Sequence, residues 1–221
     1  MKLTLILLAI VALTAACGSK NEPASLGTTS ATTTVDSDGC HPIKTPDPEK
    51  RHVPKPTTAL DPSKTYDVTL VTNCGSITIR LDVKDSPKTT ASFVSLVRRH
   101  FFLDTIFHRI IPGFVIQGGD PTGSGTEGPG YETVDKPPSD TKYEEGVVAM
   151  AKTQTEAAGT AGSQFFIVVG PDAASLTPDY ALLGNVTEGL DVAKRIGNFG
   201  DPNTGEPLRL VVIEKATVDV H

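Results

Sequence analysis

Residues 107–120 read FHRIIPGFVIQGGD, an apolar run that carries His108, Arg109 and Gln117 at close spacing. An arginine does not lose its proton in a protein, so it acts as a fixed cationic donor and never as a base. In an apolar strand it has two readings: one half of an ion pair on a strand edge, or part of a site that needs its charge. His108 can exchange a proton near neutrality, and it reads as a general acid–base or as a satisfied histidine in a polar network. A second stretch, GSQFFI (162–167), brings Gln164 and Phe166. Gln117 and Gln164 are hard to explain as core, because a buried amide asks for up to four partners. Phe114, Val115 and Phe166 suit either a plain core or the wall of an apolar pocket.

Other chemistries find less support. Gly123 to Gly128 fits G-x-G-x-x-G, but Pro129-Gly130 follows. A dinucleotide site needs a helix to start there so that its N-terminus meets the pyrophosphate. The three Cys and five His show no C-x-x-C or H-x-x-x-H spacing, so no metal site is expected. No Ser-His-Asp arrangement or nucleophile elbow can be specified. Asn185-Val186-Thr187 is a glycosylation sequon by pattern only.

The elements that must hold these residues follow from periodicity. YDVTLVT and SITIRLDV alternate at period two around the turn TNCG, which predicts a β-hairpin from Tyr66. Ser86-Pro87 reads as an N-cap followed by proline in the first turn, and Ala91, Phe93, Val94, Val97 and Phe101 recur at helical spacing, which predicts a helix over 87–99. His100 reads as a charge partner at its C-terminus. The run 107–120 is a strand broken at Pro112-Gly113. A glycine-rich loop follows, then strands at GVVAMAK, SQFFIVV and ALLGNVTEG, a second helix at LDVAKRIG and a closing strand at LRLVVIEKATV. Many short antiparallel strands with two helices predict a mainly β fold, a closed barrel capped by helices.

Composition bounds the answer further. The 221-residue chain carries a net charge of −6 without a basic block, which gives no surface for nucleic acid or anionic lipid. With no Trp and eight Phe, the core must rest on Val, Ile, Leu and Phe.

FHRIIPGF-x-x-QGGD together with GSQFFI resembles the signature of the cyclophilin family of peptidyl-prolyl cis–trans isomerases, over about Tyr66 to Val220. The resemblance implies an eight-stranded antiparallel β-barrel closed by two α-helices, with the active groove on its outer face. It assigns a catalytic set of Arg109, His108 and Gln117, with Arg109 the principal donor and His108 in support. Phe114, Val115, Phe166 and Leu176 are implied to shape a proline pocket, and Gln117 and Gln164 to give polar contacts. Gly125, Thr126, Met150, Ala151 and Lys152 are implied to run along the substrate backbone. The implied partner is a proline-containing unfolded or exported polypeptide, and neither metal nor cofactor is needed. This sequence departs from many members at Ser175, where they carry tryptophan, at Tyr180, where histidine is common, and at Val115, where methionine is frequent. By that comparison the loss of the indole weakens cyclosporin binding. The loop 152–162, rich in Gly and Ala, reads as longer than in compact members and mobile.

The N-terminus carries a different message. Met1-Lys2, an apolar run over Leu3–Leu13 and small residues before Cys17 read as a signal peptide, 1–16. LTAAC resembles a bacterial lipobox, which implies lipidation of Cys17 and an anchored protein on the extracytoplasmic face of the cell membrane, in contact with it through the lipid only. Residues 17–63, rich in Ser, Thr and Pro, read as a tether that holds a monomeric 64–221 isomerase domain off the surface. His41 and His52 within it read as solvated. Export makes a Cys40–Cys74 disulfide possible, with two free thiols as the alternative.

Overall fold

The computed structural model describes residues 34–221; the expected signal peptide, Cys17 and the first part of the tether lie outside them. The strands are β1 (Tyr66–Thr72), β2 (Gly75–Leu81), β3 (Thr105–Ile111), β4 (Val115–Gly118), β5 (Thr133–Val134), β6 (Val147–Met150), β7 (Thr160–Ala161), β8 (Phe165–Val168), β9 (Leu182–Glu188) and β10 (Val212–Val220), with helices α1 (Pro87–Arg98) and α2 (Leu190–Gly197). Eight strands close into an antiparallel barrel in the order β1-β10-β3-β4-β8-β6-β9-β2, while β5 and β7 pair separately. The closed, helix-capped barrel is the one predicted.

Alternation sorts each strand between two apolar clusters. Along β8, Phe165 and Ile167 enter the barrel core, whereas Phe166 and Val168 join a second cluster on the outer face with Val115 and Ala149. Period-two side chains explain both sets at once. The core gathers Phe93, Phe102, Phe107 and Phe165 in tilted or edge-on contacts, with ring centroids 4.8 to 6.1 Å apart.

Helix α1 matches its prediction in extent, and its ends differ in detail. Ser86 makes no side-chain cap, and its hydroxyl is buried without a partner among the described residues. The N–H of Thr89 donates instead to the Asp135 carboxylate at 2.6 Å, a cap supplied from 46 residues away. At the other end His100 adopts a left-handed backbone (φ 56°), and Phe101 N–H reaches back to Leu96 O. His100 therefore fills the position glycine usually takes after a helix, more than it acts as a charge partner.

The described part of the expected tether lies on the barrel, within the same compact unit. Cys40 is joined to Cys74 in the first hairpin turn, and both are fully buried. His41 is not solvated: its N–H donates to Asn73 O and its Nε2 lies 2.8 Å from Glu214 Oε1. The disulfide spans 34 residues. In the chain-entropy picture such a loop contributes about 3–4 kcal/mol by restricting the unfolded chain.

Candidate active site

The register of β3 against β4 explains the arginine in its apolar run. Phe107 pairs with Gly118 and Arg109 with Gln117, so His108 is the extra residue of a bulge. A bulge breaks alternation. Phe107 and Ile110, three apart, both point into the core. The two residues between them both stay on the outer, half-buried face.

Arg109 sits there with its charge largely unspent. Its side-chain partner among the described residues is Gln117 Oε1, a long contact at 3.4 Å from Nη1. No carboxylate pairs with it, so the ion-pair reading of this arginine is not the one observed. Gln117 in turn donates to Gln164 Oε1 at 3.1 Å, and Gln164 donates to the carbonyl of Glu127 at 3.1 Å. The two amides thus form a relay that sets the orientation of Gln117 and, through it, the guanidinium. Both needed partners, and one bond between them, Arg109 and the Glu127 carbonyl supply these.

His108 has neither ring nitrogen hydrogen-bonded among the described residues. Burial lowers its pKa; Asp120 pulls it up and the Arg109 charge pushes it down, with the net shift downward. The neutral ring lies against Gly125, where it would stand 3.4 Å from an added Cβ. A neutral, unpartnered imidazole does not act as an acid at neutral pH.

Beside this polar row is an apolar floor. Val115 and Phe166 are almost fully buried, and Phe114, Leu176, Ala151 and Tyr180 pack over the same cluster. Tyr180 meets Phe166 edge-on at 5.4 Å. Beneath both lies Tyr143, fully buried, whose hydroxyl donates to Tyr180 O (2.7 Å) and accepts from Tyr180 N–H (2.9 Å). Tyr143 fixes the Tyr180 backbone, and no local pattern in TKYEEG announces it. Ser175 ends a 3-10 turn (Pro171–Ser175), where its hydroxyl caps Asp172 O.

A cavity of about 600 Å³ continues from the amide relay, lined by Gln117, Thr126, Tyr131, Ala151, Glu156 and Gln164 among others. Its loop wall is organised by Asp120, which is fully buried. That carboxylate accepts from the N–H groups of Thr122, Thr126 and Glu127 and from the hydroxyls of Thr122 and Ser124, at 2.7 to 3.1 Å. Burial raises its pKa, but the donors outweigh burial and the net shift is downward. Gly119 before it has φ 91°, and an added Cβ would lie 2.4 Å from Ser163 O, so the QGGD turn admits only glycine there. Thr126 therefore offers an exposed side chain, while its N–H is spent on Asp120.

One of the expected backbone contacts, Met150, is corrected. Met150 points into the barrel core, because it alternates with Ala149 on β6. Lys152 lines the cavity, but its ammonium is occupied by Asp179 (2.6 Å) and the carbonyls of Thr153 and Glu156, and its side chain is 3% exposed. It clamps the loop 152–162, which Gly159 N–H to Asp179 O and the β5–β7 ladder tie further to the body, and which is not free-standing.

The family of cyclophilin-type peptidyl-prolyl cis–trans isomerases matches residues 67–218. The peptidyl-prolyl cis–trans isomerase B of Streptomyces anulatus is 38% identical over 69% of this chain and 96% of its own length. An Arabidopsis thaliana isomerase, CYP18-2, is 36% identical over 69% of this chain and 93% of its own. A Cryptosporidium parvum cyclophilin-type isomerase superposes with a TM-score of 0.64 at 29% identity, covering 70% of this chain and 98% of that one; a second structure of it was obtained with the dipeptide Ala-Pro. The match spans the barrel and every residue of the groove described above, and with the same fold recurring in those solved structures the chain belongs to the cyclophilin-type peptidyl-prolyl cis–trans isomerases.

Proposed function

We propose that this isomerase works outside the cell membrane, held by a lipid on Cys17, and speeds Xaa-Pro rotation in polypeptides that fold after export, with Arg109 as its catalytic donor. The observation that carries the catalytic part is a guanidinium with no carboxylate partner among the described residues, beside a dry apolar floor. The peptide C–N bond resists rotation by roughly 18–20 kcal/mol because the nitrogen lone pair is shared with the carbonyl. Twisting localises that pair on the prolyl nitrogen. A donor aimed there binds the twisted bond better than either planar isomer, which is what lowers a barrier.

Arg109 supplies the donor with a charge it cannot lose. A charged hydrogen bond of about 1.5–3 kcal/mol accounts for one to two decades of rate. The remainder falls to the pocket of Val115, Phe166, Phe114 and Leu176, which takes the prolyl ring and strips water from the amide, whose planar form is the more polar. Gln117 and Gln164 keep the guanidinium aimed, and Gln117 and Ala151 contact the flanking chain. His108 stays neutral and shapes the wall beside Gly125. A proline-containing peptide such as Ala-Pro is the class of ligand this groove suits.

Export is supported by the N-terminal apolar run and by the buried Cys40–Cys74 bridge, which suits an oxidising compartment. Uncatalysed isomerisation takes tens of seconds and limits folding there. The test has two arms. Cis–trans exchange of a proline tetrapeptide accelerates with the full chain, and no acceleration would sink the catalytic reading. The mass of the mature N-terminus equals diacylated or triacylated Cys17; an unmodified start would sink the anchor.

A further inference from the structure

The stretch Glu49–Lys55 lies outside the family match, which begins at residue 67, yet it runs along the groove wall. Glu49 N–H donates to Pro121 O (3.2 Å) and Val53 N–H to Pro129 O (3.0 Å). Lys50 pairs with Glu127, and Lys55 Nζ donates to Glu132 O at 2.6 Å. All four contacts fall on the loop 121–132, the segment that supplies Gly125, Thr126 and Tyr131 to the cavity beside Gln117. At Gly130 the backbone is left-handed (φ 86°) and the His52 ring would stand 3.2 Å from an added Cβ, so strap and loop are in van der Waals contact there.

Arg51 faces the other way. Its Nη1 donates to Phe101 O (2.7 Å) and Leu103 O (2.6 Å), in the turn between α1 and β3, and only 18% of its side chain is exposed. Val53 packs on the barrel core, and the Cys40–Cys74 bridge ties down the chain that leads into the segment. The Lys50 ion pair is solvent-exposed and contributes little. The hold comes from the two strap N–H groups that donate to loop carbonyls and from the Arg51 guanidinium that donates to two carbonyls of the scaffold.

We propose that Glu49–Lys55 is a positioning strap for the substrate groove: anchored through Arg51, it holds the loop 121–132 where that loop meets the residues flanking the Xaa-Pro pair. The proposal rests on the groove being centred on Arg109. Arg51 touches neither substrate nor the reacting bond, so its effect must appear in how longer substrates bind.

The test compares a tetrapeptide with a decapeptide carrying the same central Xaa-Pro, using the full chain. In Arg51→Ala the decapeptide KM rises about five- to tenfold with kcat unchanged, and both constants for the tetrapeptide stay at wild-type values because Asp120 still holds Glu127 at the end of the amide relay. Arg51→Lys, which keeps a donor for one of the two carbonyls, recovers part of the loss. Val53→Pro, which deletes the N–H to Pro129 in an already proline-rich stretch, gives the same selective rise should Arg51→Ala fail to fold. Equal losses on both peptides, or no change on either, would overturn the strap. Failure of the wild-type chain to turn over even the tetrapeptide would fall on the groove assignment instead.

Discussion

The inside and the outside of the barrel are built by the same strands and do opposite things. Inside, Phe165 of β8 meets Phe93, Phe102 and Phe107 edge-on, and all four rings are shut off from solvent. Outside, the neighbouring Phe166 lies in a floor that is just as dry but open on one side, next to an arginine with no carboxylate partner. The inner face spends all its interactions on stability. The outer face keeps one strong donor in reserve, and that reserve is what a twisting amide can use.

Separable perturbations follow from this division. Phe165→Ala should be the most damaging to stability, about 3–5 kcal/mol, because it removes transfer energy and leaves a cavity. Chemical denaturation reads that loss, and the fraction still folded should keep wild-type kcat. Asp120→Asn comes next. The amide cannot accept all five donors, so about 2–3 kcal/mol is lost, and because the native carboxyl titrates below its ordinary value, wild-type stability from this group is present above about pH 4 and falls away as pH drops through the native value. A stability of the Asn variant equal to wild type at neutral pH would contradict the loop account.

Tyr143→Phe removes the hydroxyl that both donates to and accepts from the Tyr180 backbone. A loss of about 1–2 kcal/mol is expected, with a raised KM, since the pocket wall loosens while Arg109 is untouched. The smallest effect concerns His108. Burial holds its pKa below the ordinary histidine value and favours the neutral ring, so the pH profile of kcat/KM should show no step at that ordinary value. A step centred there would make His108 a proton-transfer group after all.

Much of this was legible in the residues. Period-two runs and two helical stretches gave the barrel because burial on an antiparallel strand alternates, and the signature residues pointed to the groove. The bulge at His108 was also visible in principle: FHRII puts Phe107 and Ile110 three apart, which strict alternation cannot bury together. The strap was not legible, since it docks through backbone N–H groups and one arginine, with no apolar period to betray it. Nor were the roles of Asp135 and Tyr143, because the groups they serve lie 46 and 37 residues away in the chain. The Lys152 ion pair was hidden for a related reason: whether its ammonium faces a ligand or an internal carboxylate depends on Asp179, a contact made by the fold and not by the neighbouring sequence.

The central claim is that Arg109 contributes to rate and not to stability. Arg109→Ala, measured in the full chain for both thermal unfolding and kcat/KM on a proline tetrapeptide, tests it directly. The account predicts a kcat/KM lowered about 10- to 100-fold with an unchanged Tm. Unchanged kcat/KM, or a fall in activity matched by a fall in Tm, would contradict it.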